Sequence, residues 1–186
     1  MNTPDLPVHY VCTHDKAKDI IAAHDRFWVS NCGCREERKA CARSRTDVCL
    51  MFNPGDFASG SGKREVGPSD VKEIIQEAET KHLVARPFRN KERTDTDGIC
   101  FCCDDCCGYF LNPDERCDKG ETIAETARDL CTDCGACVDA CYFKARRMEE
   151  KNLLVDQALC YGCGLCRDVC PEDSIKMVER AGQAGG

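Results

Sequence analysis

LCTDCGACVDAC, residues 130–141, returns 29 positions later as LCYGCGLCRDVC, residues 159–170, and the second copy runs straight into Pro171. Leu130, Cys131, Cys134, Gly135, Cys137, Asp139, Cys141 and Met148 are repeated as Leu159, Cys160, Cys163, Gly164, Cys166, Asp168, Cys170 and Met177. Identities at one fixed offset mark a duplicated structural unit. Within each copy the spacing is C-x2-C-x2-C-x3-C. Three thiols at this spacing wrap one corner of a metal centre, with Gly135 and Gly164 allowing the backbone angles of the turn. The fourth starts a helix that carries it away from the other three. Zinc knuckles take their four ligands in two pairs, which an evenly spaced triple does not supply.

From about residue 126 to 180 the chain resembles bacterial two-cluster ferredoxins, whose signature is this same run ending in Cys-Pro. The resemblance implies a ferredoxin-like α+β fold holding two 4Fe-4S clusters with crossed ligation. Cys131, Cys134, Cys137 and Cys170 would hold one cluster, and Cys160, Cys163, Cys166 and Cys141 the other. Tyr142 departs from the pattern, because the first run often carries proline there. Val138, Val155, Leu165, Val169, Ile175 and Val178 are expected to pack around the clusters, either as shields of the sulfurs or simply as core.

Composition points the same way. The 34 Leu, Ile, Val and Phe residues make about 18 % of the 186-residue chain, below the roughly 20 % at which a packed core becomes hard to build. Cysteine instead supplies 19 residues, an odd number that disulfides cannot pair completely. The polar start Met1–Tyr10 and the lack of a long apolar run lead us to expect a cytoplasmic protein without membrane insertion. In a reducing compartment dense cysteines signify metal or redox chemistry. The net charge of −7 argues against nucleic acid as partner and favours docking to a basic patch on a redox protein or a larger oxidoreductase complex.

Two further cysteine groups precede the repeat. Cys32, Cys34, Cys41 and Cys49 give C-x-C-x6-C-x7-C, a set that suits one metal site. Cys100, Cys102, Cys103, Cys106, Cys107 and Cys117 offer six thiols, but Cys102 and Cys103 are adjacent and point in different directions in extended chain. Together with the repeat these runs resemble ferredoxin-like polypeptides of anaerobes, in which C-x-C-R…C…C and C-x-C-C…C-C-G motifs precede a two-cluster ferredoxin. That likeness implies a third 4Fe-4S cluster on Cys32, Cys34, Cys41 and Cys49. A fourth cluster or a zinc ion is expected among the six later thiols, and zinc is the alternative metal throughout this half. Arg35, Arg38, Lys39, Arg43 and Arg45 surround the first group, either favouring thiolates and raising the potential or forming a solvated basic face.

The fold class expected is therefore α+β, with a ferredoxin-like domain over 121–186 preceded by a small helical, loop-rich, metal-organised domain over 1–120. A linker is expected at 53–68, where four Gly, two Pro and two Ser fall. Apolar periodicity predicts helices from Asp15 to Trp28 and from a Ser69 cap through Val71, Ile74, Ile75 and Ala78. The polar stretch from Arg86 to Asp97 reads as a mobile loop. Cys12 with His14 is a bare C-x-H, and His9, His24 and His82 have no ligand spacing. Asp104, Asp105, Asp114 and Glu115 read as a solvated loop, and Arg146-Arg147 as a docking contact or an ordinary surface pair. Gly60–Lys63 lacks the full phosphate-loop pattern.

With no catalytic constellation and no small-molecule site in view, the function expected is a polyferredoxin-type relay. It would carry single low-potential electrons through three or four iron-sulfur clusters to a partner oxidoreductase. Two alternatives stand beside it: a redox enzyme subunit with a site-differentiated cluster or dithiol at 100–117, and a zinc-containing structural or regulatory module fused to a ferredoxin.

Overall fold

A computed structural model describes residues 6–39, 41–55, 59–112 and 114–180; residues 1–5 of the polar start and 56–58 of the expected linker lie outside them. Up to residue 118 the described residues combine helices and loops with seven short strands. They form a seven-stranded sheet of β1 (His9–Tyr10), β2 (Phe27–Ser30), β3 (Cys49–Met51), β4 (Arg64–Val66), β5 (Val84–Arg89), β6 (Thr96–Cys102) and β7 (Cys117–Asp118). The order across the sheet is β4-β2-β3-β6-β5-β1-β7, antiparallel except for the β1–β7 pair. Helices α1 (His14–Ala22), α2 (Gly33–Arg38), α3 (Pro68–Thr80) and α4 (Gly108–Leu111) connect the strands.

Alternation along the strands divides the sheet into two chemically distinct faces. Phe27, Val29, Leu50, Ala85, Ile99 and Phe101 turn one way and meet Ala17 and Ile21 of α1 and Val71, Ile74 and Ala78 of α3 in a continuous apolar core. Fully buried side chains such as Ile74, Leu83 and Ile99 each contribute about 1.5–3 kcal/mol of transfer free energy. The other face carries Trp28, Met51 and Phe88 together with Cys49 and Cys100. Register places Cys49 opposite Cys100 and Cys100 opposite Arg86, so three strands present these side chains in a row.

Local chemistry explains where the elements begin and end. Thr13 caps α1, its hydroxyl accepting from the Lys16 amide at 3.2 Å. The helix stops at Ala22, and Phe27 and Trp28, which share its apolar stripe in sequence, belong to β2 instead. The cap of α3 is Gly67 rather than Ser69, with Pro68 in the first turn and Asp70 Oδ2 accepting from the Gly67 amide at 3.1 Å. Arg86–Arg89 is strand, not loop, and β4 occupies the end of the expected linker.

Beyond β7 the chain builds a smaller unit from β8 (Thr122–Thr126), α5 (Ala136–Asp139), β9 (Arg146–Glu149), β10 (Asn152–Val155), α6 (Leu165–Asp168) and β11 (Ile175–Glu179). β8 pairs with β11 and β9 with β10, both antiparallel. Its own apolar cluster is small, with Ala124, Leu153 and Ile175 beside Cys137 and Cys166. Ala140, Tyr142 and Leu165 join the larger core of the sheet, so one apolar cluster continues across the expected 120/121 boundary. The two parts are also tied by Gly120 N–H donating to Tyr161 O at 2.9 Å and by the Arg167–Asp15 ion pair at 2.9 Å. No helix among the described residues is long and apolar enough to cross a membrane.

Candidate metal centres

In the smaller unit each repeat turns sharply into its short helix, and Gly135 and Gly164 take φ of 82° and 81° at the turn. These left-handed angles favour glycine and let three thiols follow one another around a concave wall. A small cavity is lined by Cys131, Cys134 and Cys137 and, from the other repeat, Cys170. A second is lined by Cys160, Cys163 and Cys166 together with Cys141. Apolar walls complete them: Leu153 and Ile175 in the first, Ala145, Val155 and Phe143 in the second. All eight sulfurs are free thiols, and two four-thiol cavities with apolar walls fit iron-sulfur clusters.

Arg146 lies between the cavities. Only 3 % exposed, it lines the second cavity while its Nη1 is 3.7 Å from Cys137 Sγ of the first and 3.0 Å from Thr126 Oγ1. Among the described residues its Nη2 has no hydrogen-bond partner. The sequence reading of Arg146 as a surface contact is thereby corrected, whereas Arg147 is exposed. Burial pushes the Cys166 thiol up to about 11 against the pull of Arg146. Burial also raises Cys170, but bonds from Ser174 and nearby amides outweigh it and hold that thiol below its ordinary value.

On the other, also buried, face of the sheet a second gathering forms. Cys49 Sγ and Cys100 Sγ are 3.8 Å apart, and His9 Nε2 is 3.9 Å from Cys100 Sγ. Thiol contacts link Cys32 to Cys34, Cys34 to Cys107 and Cys107 to Cys102. Cys117 completes the group, its charge felt by Arg86. Arg86, 1 % exposed, stands in the middle, with Nη1 at 3.2 Å from Cys107 Sγ and 3.7 Å from Cys102 Sγ, Nη2 at 3.0 Å from Glu115, and the guanidinium 4.3 Å above Tyr109. The Cys107 bond and Arg86 overcome burial and draw Cys102 down to about 7. Sequence reasoning missed Arg86 by leaving it in a loop; no apolar alternation marks Val84–Arg89, and it is the pairing of Arg86 with Cys100 across β5 and β6 that puts it on the cysteine face.

The structure does not bring together the four thiols of the first sequence group. Cys32, Cys34 and Cys49 belong to the sheet face, whereas Cys41 lies against Cys103, Cys106 and Asp105. Cys12 is buried and paired by backbone to Ala85, and His14 spends one ring nitrogen on Leu83 O at 2.7 Å while the other faces Asp168 at 3.6 Å. His24 stacks on Phe52 at 4.0 Å.

Between the sheet face and the second cavity stands an aromatic cluster. Tyr109 contacts Phe110, Phe143 and Tyr161, and Phe143 stacks on Tyr161 at 4.3 Å. Tyr142, in the position where proline is often found, packs on Phe110 at 5.9 Å and under the Arg43 guanidinium at 4.8 Å. Its bulk fastens the two units together.

Residues 130–174 match the family of 4Fe-4S dicluster domains. The match covers both repeats and both cavities, and it supports iron-sulfur binding and electron transfer as the chemistry of this part of the chain. No curated protein matches the chain.

Proposed function

We propose that the protein is a polyferredoxin-type electron carrier, or the electron-transfer subunit of an oxidoreductase complex, that passes single low-potential electrons through several iron-sulfur clusters. The observation that carries this reading is the pair of four-thiol cavities joined by one buried arginine. Cys131, Cys134, Cys137 and Cys170 would hold one 4Fe-4S cluster, and Cys141, Cys160, Cys163 and Cys166 a second. A third cluster would take four of the seven thiols gathered on the sheet face, which include Cys32, Cys34, Cys49 and Cys102. A bound cluster supplies one-electron exchange at nearly constant geometry.

The chain's own residues set the conditions for that exchange. Arg146 and Arg86 place buried positive charge beside thiolates, which favours the reduced state and raises the potential. Phe143 and Tyr161 wall the second cavity on the side of the sheet and exclude water from the path between centres. At the other end Cys134 is exposed, as are Leu130 and Met148 beside it. This apolar rim offers a redox partner its nearest approach, and the acidic surface selects a basic one.

Protein purified without oxygen tests the reading. We expect about 12 iron and as many sulfides per chain, at four per cluster, and a reduced-cluster paramagnetic spectrum that loses one component in Cys160→Ala. An unchanged spectrum in that variant would remove the assignment of the second cavity. Seven thiols on the sheet face exceed the needs of one cluster, which favours as second reading an enzyme subunit with an unusual centre there; a substrate-induced change in that centre's spectrum would distinguish it.

A further inference from the structure

The loop after β6 faces two ways. Successive side chains leave an extended backbone on opposite sides, and while Cys102 turns to Arg86 and Cys107, Cys103 turns to Cys41 and Cys106. Cys103 Sγ is 3.2 Å from Cys106 Sγ, 3.6 Å from Cys41 Sγ and 2.8 Å from Asp105 Oδ1. Cys41 Sγ lies 3.6 Å from the same carboxylate oxygen, and all four ligand atoms fall within 4.8 Å of one another. The second carboxylate oxygen accepts from the Ala42 amide at 2.8 Å, which aims Oδ1 at the thiols.

These separations decide the kind of centre. Around a single tetrahedral ion with metal–sulfur bonds of about 2.3 Å, sulfurs stand about 3.8 Å apart. A cubane seats each thiolate on a different iron and spreads the four sulfurs much further. A second observation bears on the charge. Arg35 is 2 % exposed; its Nη1 donates to Arg45 O at 2.7 Å and its Nη2 to Phe101 O at 3.1 Å, with Cys103 Sγ at 3.7 Å and Nε unpartnered. Among the described residues no carboxylate pairs with it. A buried guanidinium needs an anion, and three thiolates and a carboxylate around a dication leave a net charge of two minus for it to offset.

We propose that Cys41, Cys103, Cys106 and Asp105 bind one zinc ion, separate from every iron-sulfur centre and closed to further ligands. Four protein ligands, mostly thiolate, at tetrahedral separations suit zinc held for structure. Binding releases the three thiol protons, and the ion pins the segment after α2 to the loop after β6. The proposal does not rest on the electron-carrier reading.

Zinc-edge X-ray absorption on the full chain purified without oxygen tests it directly. We expect one zinc per chain with three sulfurs at about 2.3 Å and one oxygen at about 2.0 Å. Cys103→Ser should lose that zinc while iron, sulfide and the reduced-cluster spectrum remain, and Asp105→Asn should weaken zinc retention against a chelator at least about tenfold. A shell of four sulfurs, absence of zinc from the native chain, or loss of four iron and four sulfide in Cys103→Ser would each overturn the proposal. If Cys103→Ser does not fold, the absorption spectrum of the unaltered protein decides alone. Absence of redox-active iron would defeat the electron-carrier reading and leave the zinc count untouched.

Discussion

Arg146 touches both cavities of the smaller unit with a single charge. Replacing it by Met should lower the potentials of both centres together, on the order of tens of millivolts, while Arg146→Lys should restore most of the loss; paired redox titrations read both shifts. A variant that moved neither potential would reduce Arg146 to a packing residue. Cys12 illustrates the opposite environment. Burial pushes its thiol up to about 12, so at pH 8 its thiolate is about a thousandfold scarcer than that of a free thiol with pKa near 9. Iodoacetamide should spare Cys12 in the native chain and label it on unfolding, as peptide mass spectrometry would show. The sign follows from linkage: because the folded pKa is raised, the protonated thiol's contribution to stability is full below about pH 9 and disappears as pH climbs through about 12.

At the scale of elements, Tyr142 replaces a helix-starting proline with a buried anchor. Tyr142→Ala should cost about 3 kcal/mol, seen as a lower thermal midpoint with iron still bound; Tyr142→Pro should cost as much, since it regains the turn but not the contacts with Phe110 and Arg43. The repeat itself was legible because its ligands are local, and spacing alone brings Cys131, Cys134 and Cys137 to one wall. The sheet was not. β2 and β3 have four and three residues, and the cysteine face also carries Trp28 and Met51, so both faces are apolar and no alternation stands out. Adjacent Cys102 and Cys103 did announce two destinations by parity, but Asp105 looked like one more solvated carboxylate because its partner, Cys41, is far away in sequence.

For the whole molecule, the division of labour between the sheet's faces predicts unequal dependence on metal. The side packed on α1 and α3 has a hydrocarbon core of its own, whereas two of the five buried residues in the separate cluster of the unit beyond residue 121 are cysteines. Chelation should therefore leave slow amide exchange in α1, α3, β2, β5 and β6 and abolish it from β8 to β11, because site formation and folding are coupled there. Hydrogen-exchange mass spectrometry measures this; equal loss everywhere would show that the helix-covered core cannot stand alone.

The exchange of Cys141 and Cys170 between the two cavities carries a rule about assembly. A chain ending at the β9–β10 turn would own three thiols of one cavity and a fourth aimed at a wall that does not exist. Two such halves would have to find each other before either cavity had its four thiols, each lending the other what it lacks. Duplication has placed that encounter inside one chain, where the exposed turn at Glu150 and Lys151 serves as a tether rather than a structural bond, and cutting it should leave the filled module in one piece.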